Sequence, residues 1–136
     1  MPASEEIDLI RRILREAATI AVVGLSPKPG RPSHRVARYL LAAGYRVIPV
    51  NPGQDEILGQ ACYPNLRVVP AQVDLVNIFR NPAAALPVVE DAIAVGARFI
   101  WMQQGIVNHE AAARAEAAGL TVIMDRCIKI DHINLL

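Results

Sequence analysis

Thr19-Ile20-Ala21-Val22-Val23-Gly24-Leu25-Ser26-Pro27-Lys28-Pro29-Gly30-Arg31-Pro32-Ser33 is the stretch on which the reading of this chain turns. From Ile20 to Val23 it is apolar and rich in β-branched residues, with neither a helical nor an alternating period. That is the pattern of a short strand buried on both faces. Prolines at 27, 29 and 32 and a glycine at 30 then force a loop. Ser33 is the expected N-cap of a helix that carries Val36, Ala37, Leu40 and Leu41 on one face and ends at Gly44. Arg46 to Val50 reads as a second strand, with Pro49 expected near its end because proline cannot donate to a ladder.

The same alternation extends outward from this unit. Upstream, Ser4 is an expected N-cap with Glu5 and Glu6 behind it, and Ile7, Ile10, Ile13 and Leu14 recur at helical spacing to about Glu16. Downstream, strands are expected at 74–79, 98–102 and 121–124, beside those near 20–24 and 46–50. Asn81-Pro82 opens a turn, followed by a helix with Pro87 at its first position that ends near Gly96. Asn108 is expected to cap an Ala-rich helix ending at Gly119. Between Asn51 and Pro70 only a short piece at 56–58 can be assigned, and the tail to Leu136 is expected to pack back on the body. The order predicts an α/β, Rossmann-like three-layer fold with a five-stranded, mostly parallel sheet, as one domain over residues 1–136.

Composition agrees with a sheet covered on both faces: 53% of residues are hydrophobic but only 4% aromatic, so Ala, Val, Ile and Leu must fill the core. The net charge of +1 argues against nucleic-acid binding by an overall basic surface. The acidic start MPASEEIDLI lacks a signal-peptide layout, and no apolar stretch approaches a membrane span, so a cytoplasmic protein is expected. Cys62 and Cys127 show no CxxC spacing and are read as reduced thiols.

Charge is unevenly placed. No Asp or Glu occurs from Ala17 to Gln54, a segment that holds Lys28, Arg31, Arg35, Arg38 and Arg46. In an open parallel sheet, ligands bind beyond the C-terminal ends of the strands, so the loop after the first strand is the first candidate site. Gly24 admits a close backbone approach, Ser26 and Ser33 offer hydroxyls, Lys28 and Arg31 offer charge, and the helix start offers N–H groups. Together they describe a phosphate cradle. A proline-stiffened structural loop with solvated charges is the competing reading. The cradle is not a dinucleotide fingerprint, because Ser26 and Pro29 stand where GxGxxG needs glycine, and no acid follows the second strand before Asp55. No GK[ST] occurs, which excludes a P-loop.

Four segments carry a resemblance: VVGLSPKPGRPSHRVARYLLAAGYRVIPVNP at 22–52, VDLVNIFRNP at 73–82, AIAVGARFIWMQQGIVNHEA at 92–111 and AGLTVIMDRCIKIDH at 118–132. In order and spacing the chain resembles the small single-domain CoA-binding proteins related to the N-terminal domain of the succinyl-CoA synthetase α subunit. The resemblance implies coenzyme A, or an acyl-CoA, as ligand. It implies Gly24, Ser26, Lys28, Arg31 and Ser33 at the phosphates. Asn51, Pro52, Phe79 and Arg80 would lie on the adenosine side, with the pantetheine arm passing toward Gln103, Gln104 and Gly105. Coenzyme A, with a pyrophosphate and a 3′-phosphate, suits a basic loop better than NAD does. The synthetase's further domain with its catalytic histidine has no counterpart in these residues, so its ligase reaction does not carry over.

Other candidates stay open. Cys127 follows Arg126, which would favour a thiolate, so a thioester-acting enzyme is an alternative to a binding module, and a Rossmann-like interaction protein without ligand is a third. A small buried residue is the plainer reading of Cys127. His34 could reach a phosphate. Glu110, beside His109, suits a helix N-terminus. Asp131 and His132 read as surface residues, and Trp101 and Met102 as core. No grouping has metal-ligand spacing.

Overall fold

A computed structural model describes residues 4–136. The chain runs α1 (Ser4–Glu16), β1 (Thr19–Val23), α2 (Pro32–Ala42), β2 (Arg46–Val50), a two-stranded hairpin β3 (Glu56–Ile57) and β4 (Gln60–Ala61), a 3-10 turn at Leu66–Val68, then β5 (Leu75–Ile78). A second 3-10 turn at Pro82–Ala84 leads into α3 (Ala85–Ala94), followed by β6 (Phe99–Met102), α4 (His109–Ala117), β7 (Thr121–Ile123) and α5 (Ile128–Leu135). The five long strands form an all-parallel sheet in the order β2-β1-β5-β6-β7. The expected Rossmann-like architecture is thus present.

The apolar strands are explained by burial on both faces. In β1, Ile20 and Val22 pack with Ile10, Ile13, Val36, Leu40 and Ile128, whereas Ala21 and Val23 pack with Leu66, Val89, Ala111 and Ala115. Helices α1, α2 and α5 therefore cover one face, and α3 and α4 the other. Trp101 and Met102 lie fully buried on opposite faces, as core residues.

Several local details differ from expectation for identifiable reasons. Ser4 is the first helical residue of α1, so a cap before it lies outside the described residues, as do positions 1–3 of the acidic start. Ser33 is not an N-cap: Pro32, with its pre-set φ, starts α2 two residues earlier than that cap would and leaves Arg31 as the cap residue without a side-chain cap bond. Pro49 lies inside β2, one residue from its end, but β2 is an edge strand. The outer side of β2 there meets only Tyr63, whose N–H donates to the Pro49 carbonyl, so a missing donor costs nothing. Pro87 is the third residue of α3 rather than the first, because the preceding 3-10 turn, with Asn81 Oδ1 accepting from Ala84 N–H at 3.1 Å, has already set the helical course. The tail forms the helix α5, which packs on α1 and α2.

Candidate functional site

The chain leaves β1 for the edge strand β2 and returns to β5 on the other side of β1. The connections after β1 and β5 therefore part company at one point on the C-terminal edge of the sheet, the switch point at which open α/β sheets form a crevice. Gly24 sits there with φ +89°, and a Cβ on it would lie 2.6 Å from the Phe79 carbonyl oxygen. The glycine is required by the meeting of these two strand ends, independently of any ligand.

Beyond Gly24 the loop is braced by its own polar groups. Ser33 Oγ accepts from Ser26 N–H at 3.0 Å, and Ser26 Oγ accepts from Lys28 N–H at 3.1 Å. His34 is buried, and its Nδ1 donates to the Ser26 carbonyl at 3.0 Å, which fixes the proton on that nitrogen. The residue read as a possible phosphate contact instead holds the loop. Pro32 has no N–H, and those of His34 and Arg35 both turn to the Arg31 carbonyl. Of this first turn only Ser33 N–H is left for an anion, fewer donors than an ordinary helix start presents. Asn51 also works within the fold: Nδ2 donates to the Leu25 carbonyl and Oδ1 accepts from Gly53 N–H, both at 2.9 Å, lacing the end of β2 to the first loop.

Three hollows lie at this edge, two of them sharing Pro32 and Phe79. Gly24, Ser26, Lys28, Arg31, Ser33 and Phe79 line a trough of about 380 Å³. Phe79 and Pro32 also border a cleft of about 550 Å³ walled by Arg35, Val36, Gln103, Gln104, Ile106, Cys127, Lys129 and Ile130. Pro52 and Arg80 line a smaller hollow with Val50 and Asp91. The structure thus brings Gly24, Ser26, Lys28, Arg31, Ser33 and Phe79 to one trough, Gln104 to its neighbour, and Pro52 with Arg80 to a third.

Unpaired cations gather at this edge, although Arg15, Arg38 and Arg46 elsewhere also enter no ion pair among the described residues. Among the described residues, Lys28, Arg31, Arg35, Arg80 and Lys129 enter no ion pair, whereas Arg67, Arg98, Arg114 and Arg126 pair with Asp91, Glu16, Glu90 and Asp131. Asp131 is 4% exposed and is not a surface residue. Its two oxygens accept from Nε and Nη2 of Arg126, both at 2.7 Å, which holds the guanidinium pKa above its ordinary value. Arg126 is therefore occupied and is not aimed at Cys127. His132 is half-buried, takes a hydrogen bond between Nδ1 and the Tyr39 hydroxyl at 2.6 Å, and is pushed down in pKa by burial. No group of three or more His, Cys, Asp or Glu among the described residues is placed to hold a metal ion.

Sequence reasoning did not find Arg35, Lys129 and Ile130 as cleft walls. Arg35 and Lys129 are ordinary exposed-looking helix cations, and α5 was not legible as a helix. The cleft contains Cys127, but no Asp, Glu or His lines it.

No helix of the described residues is long and apolar enough to cross a membrane. The chain is 44% identical over 123 residues to the uncharacterized Bacillus subtilis protein YneT, covering 90% of this chain and 91% of that protein. It superposes on a solved hypothetical protein of Pyrococcus horikoshii with a TM-score of 0.93 at 41% identity, covering 95% and 91% of the two chains. It is 31% identical over 120 residues to the ADP-forming acetate–CoA ligase I of Archaeoglobus fulgidus, covering 80% of this chain but only 17% of the ligase. A family model described as a CoA binding domain matches residues 18–133, from the start of β1 into α5. This chain belongs to that CoA-binding domain family, a relative of part of the acetate–CoA ligases.

Proposed function

We propose that the protein binds coenzyme A, or an acyl-CoA, along the C-terminal edge of its sheet and does not by itself turn it over. Lys28, Arg31 and Ser33 N–H hold phosphate, with Gly24 and Ser26 shaping the floor of the trough. Phe79 and Arg80, beside Pro52 and the Asn51-braced turn, take the adenosine side. The pantetheine arm enters the neighbouring cleft past Gln104.

The observation that carries this reading is the unpaired charge. Lys28 and Arg31 face the trough with no carboxylate partner, in a fold that pairs six of its other eleven arginines. A cation retained without a counter-ion beside a helix start suits an external anion. The adjoining cleft is walled by Val36, Phe79, Ile106 and Ile130 with two glutamine amides, which matches an amide-bearing aliphatic arm. The ligase relative acts on coenzyme A by name, which agrees with the same ligand, while its reaction belongs to a chain of which this one spans a small part. A cleft wall without Asp, Glu or His supports holding rather than hydrolysis.

The test is a thermal-unfolding series with coenzyme A, dephospho-CoA and NAD. Coenzyme A at about 100 times its Kd should add roughly 2.7 kcal/mol, with dephospho-CoA weaker and NAD weaker still. Greater stabilisation by NAD than by coenzyme A overturns the reading.

A further inference from the structure

We infer that Cys127 forms a mixed disulfide with coenzyme A by thiol–disulfide exchange, so that the cleft takes oxidised coenzyme A as a covalent ligand. The inference rests on coenzyme A being the ligand of the adjoining trough.

The first observation is the state of Gln103. Its side chain lines the cleft although the residue is only 6% exposed. Oε1 accepts from Asn77 Nδ2 at 3.2 Å and faces Ile128 N–H at 3.5 Å, and two donors on one side fix which end of the amide is oxygen. Nε2 is left with no partner among the described residues. Nε2 keeps contact with the cleft, where a ligand carbonyl can accept its hydrogen bond. The pantetheine arm carries two such amide carbonyls, next to its terminal sulfur.

The second observation is where that arm would end. Ile128, whose N–H faces Gln103, is the first residue of α5, and Cys127 is its N-cap residue. The Cys127 thiol lines the same cleft, is partly exposed, caps no backbone N–H and makes no hydrogen bond among the described residues. Cys62 is likewise partly exposed but differs in place and partners. It lies outside the cleft, its thiol donates to the Asn51 carbonyl at 3.5 Å, and burial raises its pKa.

The chemistry follows from what the cleft lacks. Thioester hydrolysis needs a base to activate water, and no Asp, Glu or His stands in the wall. Disulfide exchange needs none, because the departing sulfur leaves as a thiolate. The Cys127 thiol loses its proton to solvent and its sulfur attacks the coenzyme A sulfur of a mixed disulfide of coenzyme A with a small thiol. The old S–S bond breaks as the new one forms, and the small thiol leaves with the electron pair and takes up a proton. The incoming disulfide supplies the oxidising equivalents, so no further oxidant is required.

The experiment uses the mixed disulfide of coenzyme A and glutathione, with glutathione disulfide as the control, followed by intact mass and peptide mapping. Calorimetry with reduced coenzyme A under a thiol reductant runs in parallel. The expected product is Cys127 carrying coenzyme A less two hydrogens, formed about tenfold or more faster than the adduct with glutathione disulfide, because binding positions the reacting sulfur. Cys127→Ser should abolish the adduct, whereas Cys62→Ser should keep both the adduct and the affinity for reduced coenzyme A. Arg31→Ala should slow the coenzyme A adduct but not reaction with glutathione disulfide. Normal calorimetric binding with no adduct, an adduct on Cys62, or equal rates with both disulfides overturns this inference and leaves coenzyme A binding standing. Absence of calorimetric binding overturns the binding reading itself.

Discussion

Two strands deliver the chain to a helix past an arginine, and the two arginines are used in opposite ways. After β1, Arg31 occupies the N-cap position of α2, exposed and with no ion pair among the described residues. After β7, Arg126 precedes Cys127 at the start of α5, and both its Nε and Nη2 bind the carboxylate of buried Asp131. The difference lies in the carboxylate. Residues 17–54 contain none, whereas Asp131 stands in the first turn of α5. A guanidinium neutralised inside the fold fastens a helix to the end of the sheet, and one left without a counter-ion keeps its charge for something outside.

The largest expected effect breaks the second arrangement. Asp131→Ala strands Arg126 and should cost about 2–3 kcal/mol in urea denaturation, at or below the low end for buried pairs because the arginine side chain is 25% exposed. Arg31→Ala should change unfolding by no more than about 0.5 kcal/mol. Equal destabilisation by the two variants would erase the distinction.

The next effect addresses the first arrangement through affinity. Arg31→Ala should weaken coenzyme A binding roughly tenfold to a hundredfold, the size of one charge-assisted contact. Arg38→Ala, a turn and more into α2, should weaken it by less than about threefold. Raising salt should weaken wild-type binding more steeply than binding by Arg31→Ala. Calorimetry at two salt concentrations reads all three, and equal losses for Arg31→Ala and Arg38→Ala would remove the phosphate from this loop.

Smaller again is Ser33→Ala. Its hydroxyl receives Ser26 N–H in a nearly buried site, so its loss should cost about 1 kcal/mol of stability through the loop rather than through a helix cap. A chemical-denaturation midpoint equal to wild type would show that the hydroxyl does not brace the loop.

The smallest effect is a pH dependence beside α5. Half-buried His132 binds its proton less tightly in the folded state, so between its two pKa values the unfolded chain carries the extra proton. Its contribution is fully present above the unfolded value of about 6.5 and is lost as pH falls toward the lower folded value. Melting temperature should therefore drop between about pH 7 and pH 5, and His132→Gln should show a flatter profile over that range. An unchanged slope in the variant would assign the dependence to other groups.

Particular residues show what could be read in advance. The strand at 19–23 was legible because double-sided burial leaves an unbroken apolar run bounded by glycine and proline. Asn108 was legible as a cap, since its Oδ1 accepts from Ala111 N–H as that residue type in that place predicts. Helix α5 was not legible. Ile128 is buried, but Ile130 and Ile133 are about half exposed, so no apolar stripe marks the helix. At Ser33 two local rules competed, and the proline ahead of it started the helix first.

The sequence alone determined the parallel α/β architecture and the cationic, carboxylate-free segment, because strand pattern, turn chemistry and local charge are written in windows of about ten residues. Tertiary structure alone decided which charges stay free, since Arg98 finds Glu16 82 positions away and Arg114 finds Glu90 24 positions away. It also set Gly24 against the Phe79 carbonyl and brought Gln103 and Cys127 into one cleft wall. A side chain's partner depends on which strand ends and helix starts share an edge, and that follows from the order in which the strands assemble rather than from the neighbours of any one residue.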